Sequence, residues 1–296
     1  MKRIFISACL VFTTCAVFAQ ENNNKDTTKK EISLEEVVIS ASNFSENKKN
    51  IAQKIEVISA KTIAQVNAQN TGDLLINTGK IFVQKSQQGG SSPVLRGFEA
   101  SRVLLVIDGV RMNNAIYRSG HLQNVITSDQ NSLSRVEVMY GPSSTIYGSD
   151  ALGGIVHLVT KSPVLSGDKK MLTTGTAFTR YSSVNNEKTI HADVSLGGRK
   201  FAWFQSYNYS YFGDMKMGSN YLSKYPDFGR RSTYVGSVNG VDSVLKNSDD
   251  RVQKFSGYKQ WDIIQKLLFK QNDHISHSLN FQLSNTTDVP RYDRLQ

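Results

Sequence analysis

The chain has 296 residues, with 35 Lys and Arg against 25 Asp and Glu, a formal net charge of +10 and two cysteines. The positive charge is spread along the chain and forms no basic helix or dense run, which argues against nucleic acid as a partner. Only one apolar stretch approaches the length of a helical membrane span, and it lies at the very start. If the chain enters a membrane elsewhere, it must do so with strands closed into a barrel.

That first stretch is MKRIFISACLVFTTCAVFAQ. Lys2 and Arg3 precede an apolar core from Ile4 to Val17, and Val17-Phe18-Ala19 forms a small-x-small cleavage site. Residues 1–19 are expected to be a secretory signal peptide. Both cysteines, Cys9 and Cys15, fall inside it, and Phe12-Thr13-Thr14 is a poor lipoprotein lead-in to Cys15. The exported chain would then have no disulfide. It would need a large core, a closed sheet or the membrane for stability.

Residues 20–50 are polar and of low complexity, the composition of a flexible tether. One β-prone island interrupts them: Leu34, Glu35, Glu36, Val37, Val38 and Ile39. Such an island suits addition to the exposed sheet edge of a partner. It can equally be the first strand of the domain that follows.

Residues 51–165 are expected to form a small domain of mixed sheet and short helices. Strands are expected at Ile55–Ile58 and from Ile81, with helical turns over Ala60–Asn67 and from a hydroxyl-capped Thr71. The run Val103–Ile107 is entirely apolar and ends at Asp108-Gly109, a hairpin signal. A polar loop, "NNAIYRSGHLQN", follows, and then a short helix near Ser132.

The segment "VEVMYGPSSTIYGSDALGGIVHLVTK" then alternates strand-like and glycine-rich stretches. Its glycines do not fit phosphate-binding spacings. No Lys follows a glycine pair as a P-loop requires, and Gly154 opens a β-branched run instead of a helix. The glycines are expected to serve tight turns and close backbone approach.

From about residue 171 the period becomes two. In "KFAWFQSYNYSYF", Phe201, Trp203, Tyr207, Tyr209 and Tyr211 alternate with Ser206, Asn208 and Ser210. In "ISHSLNFQLS", Leu279, Phe281 and Leu283 alternate with Ser278, Asn280, Gln282 and Ser284. Strands are expected near 171–182, 189–197, 200–212, 259–270 and 275–286. The joins at 197–200 and 270–274 are short, whereas 213–257 is long and polar. Short turns at one end and long loops at the other describe an outer-membrane barrel. A soluble sandwich shares the alternation. About five strands are too few to close such a barrel, so residues 166–296 are expected to be the beginning of one and the chain an N-terminal fragment.

Taken together, "LEEVVISAS", "PVLRGFEASRVLLVIDGVRM" and the glycine-rich segment, in that order, resemble the TonB-dependent outer-membrane receptors, in particular Bacteroidetes-like members. The resemblance implies an α+β plug domain followed by the first antiparallel strands of a transmembrane β-barrel. It implies a TonB box at about 34–42 that pairs with a TonB-type energy-coupling protein. It also implies outer-membrane lipid around the barrel and import of a small ligand of the siderophore, haem or cobalamin class. No cofactor and no catalytic residue is implied.

The family's plug motifs fall on Arg96, Gly97, Asp108, Gly109, Arg135, Glu137, Gly141, Pro142, Tyr147, Gly148, Gly153 and Gly154. The glycines would pass close to the barrel wall. Arg96, Arg135 and Glu137 would meet charges on the barrel interior, or else be ordinary surface charges. In the loop 113–124 and beside it, Arg111, Tyr117 and Arg118 suit an anionic or flat ligand, and His121 suits haem iron. His157 is expected to be structural. The competing readings are an exported soluble enzyme with a glycine-rich nucleotide site and a passive porin-like channel.

Overall fold

A computed structural model describes residues 37–38, 46–47, 51, 53–86, 88–112, 125–141, 147–167, 170–220 and 223–290. Among these, no helix is long and apolar enough to cross a membrane, which leaves crossing by strands open.

The first domain is built on a five-stranded mixed sheet. Its strands are β3 (Ile55–Ser59), β6 (Val103–Ile107), β7 (Val110–Arg111), β8 (Leu133–Tyr140) and β9 (Gly154–Thr160), in the order β3-β8-β9-β6-β7. Only β6 and β9 run parallel. Two short strands, β1 (Val37–Val38) and β2 (Glu46–Asn47), pair with each other, as do β4 (Phe82–Ser86) and β5 (Gly90–Val94).

Two seven-residue helices complete the domain, α1 (Ala60–Val66) and α2 (Thr71–Asn77). The Ser59 side chain caps α1 by accepting from the Thr62 amide. The cap of α2 is Asn70, whose Oδ1 accepts from the Asp73 amide at 2.9 Å, and not Thr71. Thr71 instead donates its hydroxyl to the Ser128 carbonyl, 2.5 Å away. A buried hydroxyl with a carbonyl in reach makes that bond, and the amide side chain one position earlier takes the cap.

The register divides the sheet into two faces. Ile58, Val136, Val138, Val156, Leu158, Val103 and Leu105 share one, which packs on α1, α2 and β4 through Ile63, Leu74, Leu75 and Val83. Ile55, Met139, Ile155 and Leu104 share the other, and Val57, Glu137, His157 and Val106 lie in the next row of that face. Its cover is thin: Val38, Ile51, Tyr147 and Ala151.

The Asp108-Gly109 turn forms as the sequence requires. Both residues have positive φ, +47° and +87°, and Ile107 pairs with Val110 across them. This is the two-residue hairpin geometry whose twist matches the strands. Arg96-Gly97 does the same between Leu95 and Phe98, which exchange two backbone bonds at 3.0 and 2.9 Å.

Five long antiparallel strands follow: β10 (Leu172–Ser182), β11 (Glu187–Gly197), β12 (Phe201–Phe212), β17 (Tyr258–Lys270) and β18 (Ser276–Thr286), paired in chain order. They match the strands expected from the alternation to within two residues at each end. The long connection from 213 to 257 holds more order than its polarity suggests. It contains the pairs β13 (Met215–Lys216) with β16 (Val252–Gln253), and β14 (Thr233–Val238) with β15 (Val241–Lys246). Asn239-Gly240, both at positive φ, turns the second hairpin.

One face of the long sheet is apolar and exposed. Rows run across it in register, such as Ile190–Tyr209–Trp261 and Tyr207–Ile263–Leu283. The opposite face is largely polar and, on β11, β12 and β17, mostly buried toward the first domain, and one row of it is His191–Asn208–Asp262–Ser284.

Candidate functional site

The contact between the first domain and the polar face of the long sheet is held by side chains that water would otherwise solvate. Buried polar groups of this kind must find partners inside the protein, and here they find them across the boundary.

Three zones carry it. At one end, the Gln88 Nε2 donates to the carbonyls of Gly213 (2.8 Å) and Ser256 (3.1 Å), the two feet of the long connection. The Asn185 amide donates to Gln88 Oε1 at 2.6 Å, and Asn70 donates to the Gln88 carbonyl at 3.0 Å. Beside them Arg180 on β10 donates Nη1 to the Ala68 carbonyl (2.7 Å) and Nη2 to that of Gln69 (3.3 Å), just beyond the end of α1. A cation there meets the negative end of the helix. Its Nε is held by Glu187 at 2.7 Å.

In the middle, the His191 ring lies between Asp129 of the first domain (3.3 Å) and Asp193 of its own strand (3.0 Å). Lys161 crosses from the end of β9 to Asp193 at 2.6 Å. Asp262 accepts from Ser284 (2.6 Å), Gln260 (2.9 Å) and Asn208 (3.2 Å), while Gln260 also donates to the Ile126 carbonyl at 2.8 Å.

The third zone centres on Asp108. Lys266 of β17 places its ammonium 2.9 Å from Oδ2. Thr160 donates its amide to Oδ1 (2.9 Å) and its hydroxyl to Oδ2 (2.6 Å), and Asn280 and Gln282 of β18 donate at 3.0 and 2.6 Å. Burial pushes this carboxyl toward its neutral form, but Lys266 and the Thr160 bonds outweigh it and hold the pKa below the usual 3.8. Between the second and third zones lies a cleft of about 540 Å³, lined in part by Met112, Asp129, Asp262, Asn280 and Gln282.

The charged groups that meet across the boundary are therefore Asp108, Asp129 and Lys161 on one side, with Arg180, Asp193 and Lys266 on the other, and the His191 ring lies between Asp129 and Asp193. Of the residues named from sequence, Arg135 and Glu137 pair with each other at 2.7 Å, two apart on β8, with Glu137 completely buried. The Arg96 guanidinium lies over the Tyr140 ring at 5.9 Å. Arg111 pairs with Asp150 at 2.6 Å and so ties β7 to the turn that covers the second sheet face. Asp108 belongs to the interface, whereas the sequence marked it as a turn residue and as part of a plug motif.

The glycines also act mainly within the first domain. A Cβ on Gly153 would collide with Phe98, and one on Gly154, at φ +142°, with the Met139 carbonyl of the neighbouring strand. Gly141 and Gly148 turn at φ +103° and +84°. A Cβ added at Gly89 would instead meet Tyr258 of the long sheet and Val289 just after it. Since Gly154 opens a strand, no glycine-led helix is present there to hold a phosphate.

Val38 is fully buried on the second sheet face, with Tyr147, Leu104, Val106, Met139 and Ile155. The backbone of Val37 and Val38 pairs with Asn47 and Glu46. Leu34, Glu35, Glu36, Ile39, Pro142, Tyr117, Arg118 and His121 lie outside the described residues. Asp129, Lys161, Arg180, His191, Asp262 and Lys266 were not singled out from sequence. For Arg180, His191, Asp262 and Lys266 the one signal was the polar phase of each alternating strand, which marks a face but not a partner; Asp129 and Lys161 lie outside those strands.

Residues 47–155, a domain locked by polar contacts onto the inner face of barrel-like strands, match the family model of the TonB-dependent receptor plug domain. This chain carries a TonB-dependent receptor plug domain. The chain is similar to two curated relatives, both the "Vitamin B12 transporter BtuB" of Vibrio vulnificus. With strain CMCP6 it shares 33% identity over 161 residues, 52% of this chain and 24% of the relative; with strain YJ016, 31% over 157 residues, 52% and 23%. The chain thus spans about a quarter of the length of these relatives. Among solved structures it resembles the copper transporter OprC, with a TM-score of 0.57 at 16% identity, covering 78% of this chain and 31% of that one. It also resembles the pyoverdine outer membrane receptor FpvA of Pseudomonas aeruginosa PAO1, with a TM-score of 0.56 at 16% identity, covering 84% and 30%. At such identities the likeness is one of fold, here a receptor plug followed by the first antiparallel barrel strands.

Proposed function

We propose that the receptor imports a scarce small ligand of the siderophore, haem or cobalamin class across the outer membrane, energised by a TonB-type partner. Residues 1–19 direct export, and 34–42 form the segment that the partner grips. The exposed apolar face of β10–β12, β17 and β18 meets lipid.

The observation that carries this reading is the burial of Val38. It ties the segment gripped by the partner directly to the plug sheet, so a pull on that segment loads the plug. The polar plug–barrel contact supports it, since hydrogen-bonded surfaces separate into water at smaller cost than apolar ones. A passive channel has no use for either feature.

The similarity to proteins named for vitamin B12 makes cyanocobalamin the first ligand to test. Arg111 and the loop 113–124 stay candidates for contact, and His121 for haem. The partner is expected to add a strand to the 37–38 backbone, which proline cannot complete. Val38→Pro should abolish energised uptake while leaving ligand binding to the cell surface intact. Normal uptake by a correctly inserted Val38→Pro receptor would sink the proposal.

A further inference from the structure

Gln88 stands between β4 and β5, at the tip of their hairpin, and is 6% exposed. Both polar atoms of its side chain have partners beyond the plug: Nε2 donates to the Gly213 and Ser256 carbonyls, and Oε1 accepts from the Asn185 amide. The two feet that it reaches belong to one knot. Asp214 Oδ1 accepts from the amides of Ser256 (2.9 Å) and Gly257 (3.2 Å). The Ser256 hydroxyl accepts from the Met215 amide at 2.9 Å and donates to the Gln253 carbonyl at 2.7 Å. Above the knot, Asn247 donates to the carbonyls of Val252 on β16 (2.8 Å) and of Arg231 just before β14 (2.9 Å). A run of hydrogen bonds thus leads from the plug tip, through β13 and β16, to the base of the β14–β15 hairpin.

We propose that Gln88 couples the seat of the plug to the placement of the 213–257 connection. A buried amide with two carbonyls in reach keeps both bonds or leaves desolvated groups without partners. Displacing the plug tip breaks these bonds together unless the knot follows, and displacing the knot does the same from the other side. Plug and connection therefore favour one joint arrangement, and the coupling between them is reciprocal. In import, a ligand that shifts the connection loosens the plug before touching it, and a partner that draws the plug inward frees the connection. Gln88 is a positioning residue in this scheme, acting through the connection that it holds.

This inference rests on the proposed import reading, but its test needs neither ligand nor partner. Plug seating in the full receptor is read as the urea midpoint at which the plug becomes protease-sensitive. Asp214→Ala removes bonds that lie within the knot, and it should lower that midpoint by about 0.5 M. In a Gln88→Met background, which keeps the length of the side chain but cannot donate, the same substitution should lower it by less than about 0.1 M. Gln88→Ala repeats the cycle with no bulk to misplace, should methionine pack badly.

Amide exchange supplies the local reading. Gln88→Met should speed exchange about tenfold in peptides covering 213–217 and 252–257, and leave unchanged the Thr160 amide, which Asp108 holds. An equal Asp214→Ala shift in both backgrounds, or a shift in neither, overturns the proposal. Exchange at Thr160 that rises as much as in the knot also overturns it, because the plug would then have loosened as a whole. Uptake assays report separately: a receptor that fails to import the ligand offered can still show the coupling, and import without the coupling defeats this proposal alone.

Discussion

Asp108 and Lys266 meet at 2.9 Å across the plug–barrel boundary, with side-chain exposures of only 11% and 8%. The turn that ends the central plug strand thus also anchors it to the fourth long strand. Removing one member of a buried pair leaves the other charge uncompensated. Lys266→Met should cost about 2–3 kcal/mol of plug seating, at the low end for such pairs because Thr160, Asn280 and Gln282 still hold the carboxylate. The check is the urea midpoint at which the plug of the full receptor becomes protease-sensitive. Asp108→Asn combined with Lys266→Met should recover part of the loss, and a single variant as stable as wild type would show the pair to be idle.

The same pair predicts how plug seating depends on acidity. The Asp108 pKa is depressed below 3.8 in the folded protein, so the folded state favours the ionised form. The resulting stability is fully present above the ordinary Asp pKa and is lost as pH falls from there through the depressed folded value. Plug seating should therefore show no Asp108-dependent change from pH 7 to 5 and a decline below about 4. Asp108→Asn should remove that component of the decline. Midpoints collected against pH for both proteins decide it, and parallel curves would argue that other carboxylates dominate.

Two glycines separate conformational strain from collision. Gly79 has φ +68° with open space around its missing Cβ, whereas Gly154 combines φ +142° with the Met139 carbonyl. Gly79→Ala should cost about 1–2 kcal/mol, the penalty of a left-handed alanine. Gly154→Ala should cost more than about 3 kcal/mol, because β8 and β9 must separate to admit the methyl group. Equal midpoints for the two variants in chemical denaturation would contradict this.

On the long sheet the two faces should respond oppositely to charge. Ile263 and Leu283 are register partners on the apolar face, next to Asp262 and Ser284 on the polar one. If lipid covers the first, Ile263→Arg should destabilise the receptor in bilayers by about 2–4 kcal/mol. Ser278→Arg, on the polar phase of β18, should cost much less. The folded fraction in vesicles, followed by heat-modifiable gel mobility, compares them directly.

The local elements were legible because their chemistry is local. Asp108-Gly109 requires two positive φ values wherever it sits, and it has them. The strand ends came out nearly in register because a period of two between small polar and aromatic side chains has one geometric meaning. The hairpin of β14 and β15 was missed because its residues read as a polar loop; its turn, Asn239-Gly240, was the available sign. Val38 was read chiefly as part of a free tether because the polar residues around it hide a two-residue strand, whose packing depends on a sheet face assembled from residues 55–156.

Read residue by residue, the chain already spells the alphabet of the fold: an apolar central strand, turns at glycines, and a two-faced sheet with one polar side. Those follow from backbone sterics and from hydrophobic periodicity, which act over a few residues. Tertiary structure alone decided which polar groups meet. Arg135 turned inward to Glu137, Arg111 to Asp150, and Asp108 outward to Lys266. A charge in the sequence carries no address. Its partner is chosen when burial strips water from several charges at once and leaves each to the opposite group that the packing of distant strands has brought within reach.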